Sequence, residues 1–215
     1  MIIYEWVGKA DDVLPFSVTQ VGTGQSGTVA IVTTANNVLT NAQAIKITQQ
    51  TSGGAGNVQA RLVIPRPIGY ERFRYSWVYR LLNDDADFSH VRFEVTDFDG
   101  TDGEEYALFI NSNFGSTEEI QYLTTGEAQD DTGLFYPPDM GIDDQAWSSI
   151  SYDINVSDKK YTRQTLNSDY SLASRDSYSP GSYPGETGIY TYIKLLGTTT
   201  ACAILIDSFT VETLE

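Results

Sequence analysis

Between Arg72 and Leu81 the chain reads Arg-Phe-Arg-Tyr-Ser-Trp-Val-Tyr-Arg-Leu, which places Phe73, Tyr75, Trp77, Tyr79 and Leu81 on every second position. Successive side chains of an extended strand point to opposite faces, so these five line one face and Arg72, Arg74, Ser76 and Arg80 line the other. A helix would scatter the same residues around its axis. The segment therefore predicts a strand with one face in a core. The rhythm recurs in Val91-Phe93-Val95, in Ile150-Tyr152-Ile154-Val156, and in Ala203-Leu205 and Phe209-Val211. Alternation alone does not say which face is exposed where both carry apolar groups, as Val78 beside Trp77 shows.

With 215 residues and 40% hydrophobic content, the chain is long enough to bury a sizeable core as one domain over residues 1–215. The 18 Gly and 7 Pro, with Ser, Thr, Asn and Asp, supply turns, and β-branched and aromatic residues fill the runs between them. The fold class is all-β: an antiparallel two-sheet sandwich of jelly-roll type. Pro65 and Pro67, which cannot donate to a ladder, stop the strand Arg61-Leu62-Val63-Ile64. Val91–Val95 and Tyr106–Ile110 predict a hairpin around an acidic turn from Asp97 to Gly103, and residues 111–146 read as a long irregular section. Trp147 opens a second hairpin through Ser157-Asp158-Lys159-Lys160, and strands at Ile189–Leu196 and Ala201–Val211 close the chain.

The formal charge of −16, from 29 acidic and 13 basic side chains, repels phosphate backbones over most of the surface and argues against nucleic acid as a partner. Arg61, Arg66, Arg72, Arg74 and Arg80 cluster, which fits a solvated or subunit-facing strand surface and leaves room for a local anionic contact. A lone cysteine, Cys202, permits no intrachain disulfide. No basic segment leads into an apolar one at the start, and no apolar run reaches the ~20 residues of a membrane helix, so cytoplasmic synthesis without membrane insertion is expected.

Candidate chemistry is sparse. Glycoside hydrolysis needs two carboxyls at a fixed separation. The pattern Glu-x-Asp-x-x-Glu is absent, and Glu94 shares its strand face with Thr96, which is no carboxyl. Asp97, Asp99 and Asp102 offer hard oxygens that would suit calcium, but the twelfth position of such a loop would be Leu108 rather than a bidentate Glu, and Asp-Gly is a preferred turn in its own right. The run Gly22-Thr23-Gly24-Gln25-Ser26-Gly27 has the letters of a dinucleotide loop, yet a strand follows where a helix is required. His90 has no Gly-x-Ser-x-Gly elbow to serve. Aromatic residues in loops are the better lead: Tyr136, Trp147, Tyr178 and Tyr183 can stack on sugar rings or anchor a partner, as Tyr can also simply cap a sandwich core.

Trp147 leading into Ile150-Ser151-Tyr152-Asp153-Ile154, the tight turn before Lys160-Tyr161-Thr162, the turn Asn167-Ser168-Asp169-Tyr170 and the closing Ile204-Leu205-Ile206-Asp207-Ser208-Phe209-Thr210-Val211 resemble concanavalin A-like, or laminin G-like, jelly-roll domains. The resemblance covers about the last two thirds of the chain. It implies paired antiparallel sheets with loops at their ends, used by members for glycan binding, adhesion, hydrolysis or virion architecture, and fold alone does not choose among these. The leading expectation is a non-enzymatic structural or adhesion protein on a virion surface, such as a phage capsid decoration or tail-associated jelly roll, forming a homo-oligomer or sitting among virion lattice proteins, with no cofactor. The alternative is a lectin-like carbohydrate-binding module, extracellular or particle-borne, that takes a cell-surface glycan and uses calcium. A glycoside hydrolase comes third.

Overall fold

The computed structural model describes the chain apart from residues 22–25, 34–37, 40, 50–56, 66–68, 83–87, 112–118, 124–128, 136–146, 168, 173–174, 183–184, 186, 198–201 and 215. Among the described residues every regular element is a strand: β1 (Ile2–Trp6), β2 (Ser17–Val21), β3 (Gly27–Val32), β4 (Ala44–Gln49), β5 (Asn57–Ile64), β6 (Arg72–Leu81), β7 (Phe88–Asp99), β8 (Asp102–Asn111), β9 (Glu119–Leu123), β10 (Gln129–Phe135), β11 (Trp147–Asn155), β12 (Lys160–Leu166), β13 (Asp169–Ser171), β14 (Arg175–Asp176), β15 (Tyr178–Ser182), β16 (Thr187–Gly197) and β17 (Cys202–Thr213). The first sheet runs β13-β12-β11-β6-β17-β4-β3, with β1 on β17 and β14 on β12; the second runs β10-β9-β8-β7-β16-β5-β2, with β15 on β8. Neighbours pair antiparallel, as in the uninterrupted β6–β11 ladder from Trp147 opposite Arg80 to Asn155 opposite Arg72.

The predicted inner face of β6 is the inner face. Phe73, Tyr75, Trp77, Tyr79 and Leu81 are all buried, and Arg72, Arg74, Ser76, Val78 and Arg80 lie on the other side. Trp77 sits at the centre, its ring centroid 5.2 Å from Phe209, 5.4 Å from Tyr152 and 5.4 Å from Phe93 of the second sheet. Burying side chains of this size stabilises the fold by about 1.5–3 kcal/mol each, and favourable ring geometry adds roughly 0.5–1.5 kcal/mol per pair. Two tyrosines of the first sheet also reach across by hydrogen bonding. Tyr152 donates to the Tyr106 carbonyl at 3.2 Å, and the Tyr161 hydroxyl accepts from the Ala107 amide and donates to its carbonyl at 3.3 Å. Burial raises both phenols well above their ordinary range, so they stay neutral donors.

Three boundaries differ from those the sequence predicts. Strands β7 and β8 extend until only Gly100 and Thr101 separate them. Gly100, at φ 97°, takes a conformation an L side chain would resist, and Asp99 Oδ1 accepts from the amides of Thr101 and Asp102 at 2.8 Å each. The section from 111 to 146 is not irregular throughout, since β9 and β10 form a hairpin within it. In β17 the inward residues are Ile204 and Ile206 rather than Ala203 and Leu205, because a bulge at Asp207 shifts the register before Phe209 and Val211 turn inward. The bulged Asp207 is buried, and its carboxylate accepts from the Leu39 amide at 2.8 Å and Asn41 Nδ2 at 2.7 Å.

Candidate functional site

On the second sheet, Val91, Phe93 and Val95 of β7 and Ile189, Ile193 and Leu195 of β16 point into the core, which turns Arg92, Glu94, Thr96, Tyr190, Tyr192 and Lys194 to the outer face. Register then assembles them. Tyr192 lies opposite Glu94, Lys194 opposite Arg92 and Tyr190 opposite Thr96. Thr96 faces Glu105 of β8 on its other side, and Arg61 of β5 faces Tyr192.

The charges of this face form one buried ladder. Arg92 Nε lies 2.5 Å from Glu94 Oε2, and Arg92 Nη2 donates to Glu105 Oε2 at 2.8 Å. Lys194 Nζ lies 2.7 Å from Glu94 Oε2, and the Thr96 hydroxyl donates to Glu94 Oε1 at 3.2 Å. Glu94 is only 1% exposed, so its charge is tolerable only because these donors surround it. Burial pulls the Arg92 guanidinium down, but Glu94 and Glu105 reverse this and hold it above its usual range. For Glu105 the order differs: burial pushes its carboxyl up, the nearby Glu94 charge adds to that, and Arg92 and Lys194 pull back only part of it.

Aromatic rings border the ladder. The Tyr190 and Tyr192 rings stack at 6.3 Å, Phe98 meets Tyr190 edge-on at 4.8 Å, Arg61 lies 5.2 Å over Tyr190, and Lys194 lies 5.0 Å over Tyr192. Burial first, and then Glu94, raise the Tyr192 phenol, which keeps it a neutral donor. A face that offers half-buried phenol rings beside fixed charge-assisted donors and acceptors can stack a ring and hydrogen-bond its substituents.

Tyr178 belongs here. It opens β15 opposite Glu105 and packs on Ala107 and Leu123 at the margin of the same face. Trp147 does not: it starts β11 on the outer face of the first sheet, on the far side of the sandwich. Tyr136 and Tyr183 lie outside the described residues. Asp97, Asp99 and Asp102 do not converge. Asp97 is buried in β7 opposite Glu104, whereas Asp99 and Asp102 flank the turn. Among the described residues no group of three or more His, Cys, Asp or Glu side chains is placed to hold a metal ion. The sequence reading weighed Glu94 only as a lone carboxyl for hydrolysis and Glu105 only as an oxygen beyond the acidic turn, and it passed over Arg92, Tyr192 and Lys194. Their signal was the polar half of alternations whose apolar half was legible, but the cross-strand register that joins them is not written in either strand alone.

Glu105 gives the site a pH signature. Its native affinity for a proton exceeds that of the unfolded chain, whose carboxyl titrates near 4.5, so between those two values the native state holds more protons and stability falls as pH rises. Urea titrations from pH 4.5 upward should show this decline relative to Glu105→Gln, in which the contribution is absent. Parallel pH profiles for the two proteins would refute the assignment.

No family model matches the chain, and no curated protein matches it in sequence. Solved structures do match. A carbohydrate esterase from the Shiga toxin-encoding bacteriophage phi24B superposes over 100% of this chain and 99% of its own, with a TM-score of 0.60 at 11% identity. The cellulose-induced protein Cip1 gives 0.54 at 14% identity over 92% and 90% of the two chains. Botulinum neurotoxin type C, in a structure concerned with its interaction with two ganglioside molecules, gives 0.51 at 11% identity over 93% of this chain but 44% of the toxin chain. The likeness is one of fold. It makes the protein a jelly-roll-like β-sandwich and leaves the function to the site.

Proposed function

We propose that the protein is a non-enzymatic adhesion protein that holds a glycan on the outer face of the second sheet. The observation that carries this reading is the pair of stacked rings, Tyr190 and Tyr192, set against the Arg92–Glu94–Glu105–Lys194 ladder. Both carboxylates are engaged by cations, which favours fixed hydrogen-bonding roles over proton transfer to a substrate. That structures matching this fold include a phage carbohydrate esterase and a ganglioside-interacting toxin supports a carbohydrate partner and a virion-surface setting, within the concanavalin A-like group of sandwiches and as a single unit over 1–215. Asp99 spends one carboxylate oxygen on its own turn, so retention is expected to proceed without calcium.

The test is retention on immobilised polysaccharides and gangliosides, with product analysis of the flow-through. Tyr192→Ala and Tyr190→Ala should each weaken retention about tenfold, the equivalent of ~1.4 kcal/mol, and Tyr192→Phe should keep most of it. Retention unchanged in both alanine variants would remove this face from the site. Release of shortened or deacylated sugar would overturn the non-enzymatic part.

A further inference from the structure

The outer face of the first sheet carries a second arrangement. Register lines its residues into rows across the strands. One row is charged: Arg163, Asp153, Arg74 and Glu212 stand side by side on β12, β11, β6 and β17, with Arg74 gripping Asp153 through bonds of 2.7 and 2.9 Å. The next row consists of hydroxyls alone, Thr165, Ser151, Ser76 and Thr210. The row beyond holds Ser149, Val78 and Ser208, closed at one end by Asn167, whose Oδ1 accepts from the Ser149 amide at 2.9 Å. After that come Trp147 and Arg80. Two rows of short side chains between two rows of long ones leave a depression, and a cavity of about 250 Å³ occupies it.

We infer that this depression is a second ligand site, for one uncharged sugar ring. Its side-chain lining holds no ionisable group: Ser76, Ser149, Ser151, Thr165, Ser208 and Thr210 all contribute hydroxyls. Each hydroxyl both donates and accepts, so the floor matches a polyol, whereas an ionic ligand would lose hydration without a counter-charge in the lining. The volume lies below the roughly 300–1,000 Å³ of pockets for drug-sized ligands, which limits the occupant to about one ring. Trp147, two residues from Ser149 on the same face of β11, lies one row beyond this lining. This inference does not rest on the reading of the second sheet, whose lining is charged.

Amide NMR titration of the full chain with D-glucose, N-acetylglucosamine and glucuronate tests it. At least one of the two neutral sugars should shift Ser76, Ser149, Ser151 and Thr210 saturably, and glucuronate should leave them unmoved. Ser151→Tyr, which fills the depression from a solvent-facing position, should weaken that binding about tenfold or more, and Thr210→Tyr serves equally should the first variant not fold. Tyr192→Ala, on the opposite sheet, should leave it intact. The site is overturned if neither neutral sugar shifts these amides, if the shifts survive a filling variant, if glucuronate binds there as well, or if the shifts fall on β7 and β16 instead.

Discussion

Glu94→Ala should lower the stability of the fold by about 3–5 kcal/mol, the usual cost of removing one partner from a buried ion pair. The loss is not that of a contact. Alanine leaves Arg92 and Lys194 on an almost dry face with Glu105 as the remaining carboxylate, and two cations that shared two anions then share one. For a chain of this size each kcal/mol moves the melting temperature by roughly 2–4 °C, so a drop of about 6–20 °C is expected in thermal scans, with a matching fall in the urea midpoint. Replacing Arg92, Glu94, Glu105 and Lys194 together with apolar residues of similar volume should restore most of the loss, because it removes all four charges of the ladder rather than stranding one. A deficit below about 1 kcal/mol in Glu94→Ala would mean that the ladder is hydrated and acts as a surface network.

Trp77→Ala should cost about 3–5 kcal/mol as well, for the opposite reason. Trp77 is 1% exposed and wedged between Tyr152, Phe209 and Phe93, so its removal opens a void where two β-sheets meet and neither can close on the other without bending its ladder. Trp77→Phe should cost well under half as much. Phenylalanine keeps most of the ring contacts, and it removes an indole N–H that has no hydrogen-bond partner among the described residues. Equilibrium urea unfolding of the two variants checks the order. Equal losses would show that the indole is pinned by more than packing.

The legible part of this protein was its inner surface. Alternation put Phe73 to Leu81, Val91 to Val95 and Ile150 to Ile154 on core faces because a period of two is a property of one strand. What alternation does not carry is partnership. Glu94 and Glu105 meet because β7 and β8 go on pairing for three residues past Val95 and Tyr106, and Asp97 lost its expected place in a turn for the same reason. The bulge at Asp207 was hidden because Ala203-Leu205 and Ile204-Ile206 are equally apolar alternations, and the amide partners that Asp207 finds at Leu39 and Asn41 are not visible in the strand itself. Trp147 and Tyr178, alike in composition, ended on opposite faces because β11 and β15 belong to different sheets.

The last two strands occupy the middle of their sheets, β16 between β7 and β5 and β17 between β6 and β4. During synthesis, then, a nascent chain that has reached residue 186 holds two sheets with open seams, and the edges of five strands, β7, β5, β6, β4 and β1, wait for partners still inside the ribosome. Such edges are templates for the wrong neighbour. The molecule is committed to closing late, through contacts that span most of its sequence, and its folding should be slow for its size.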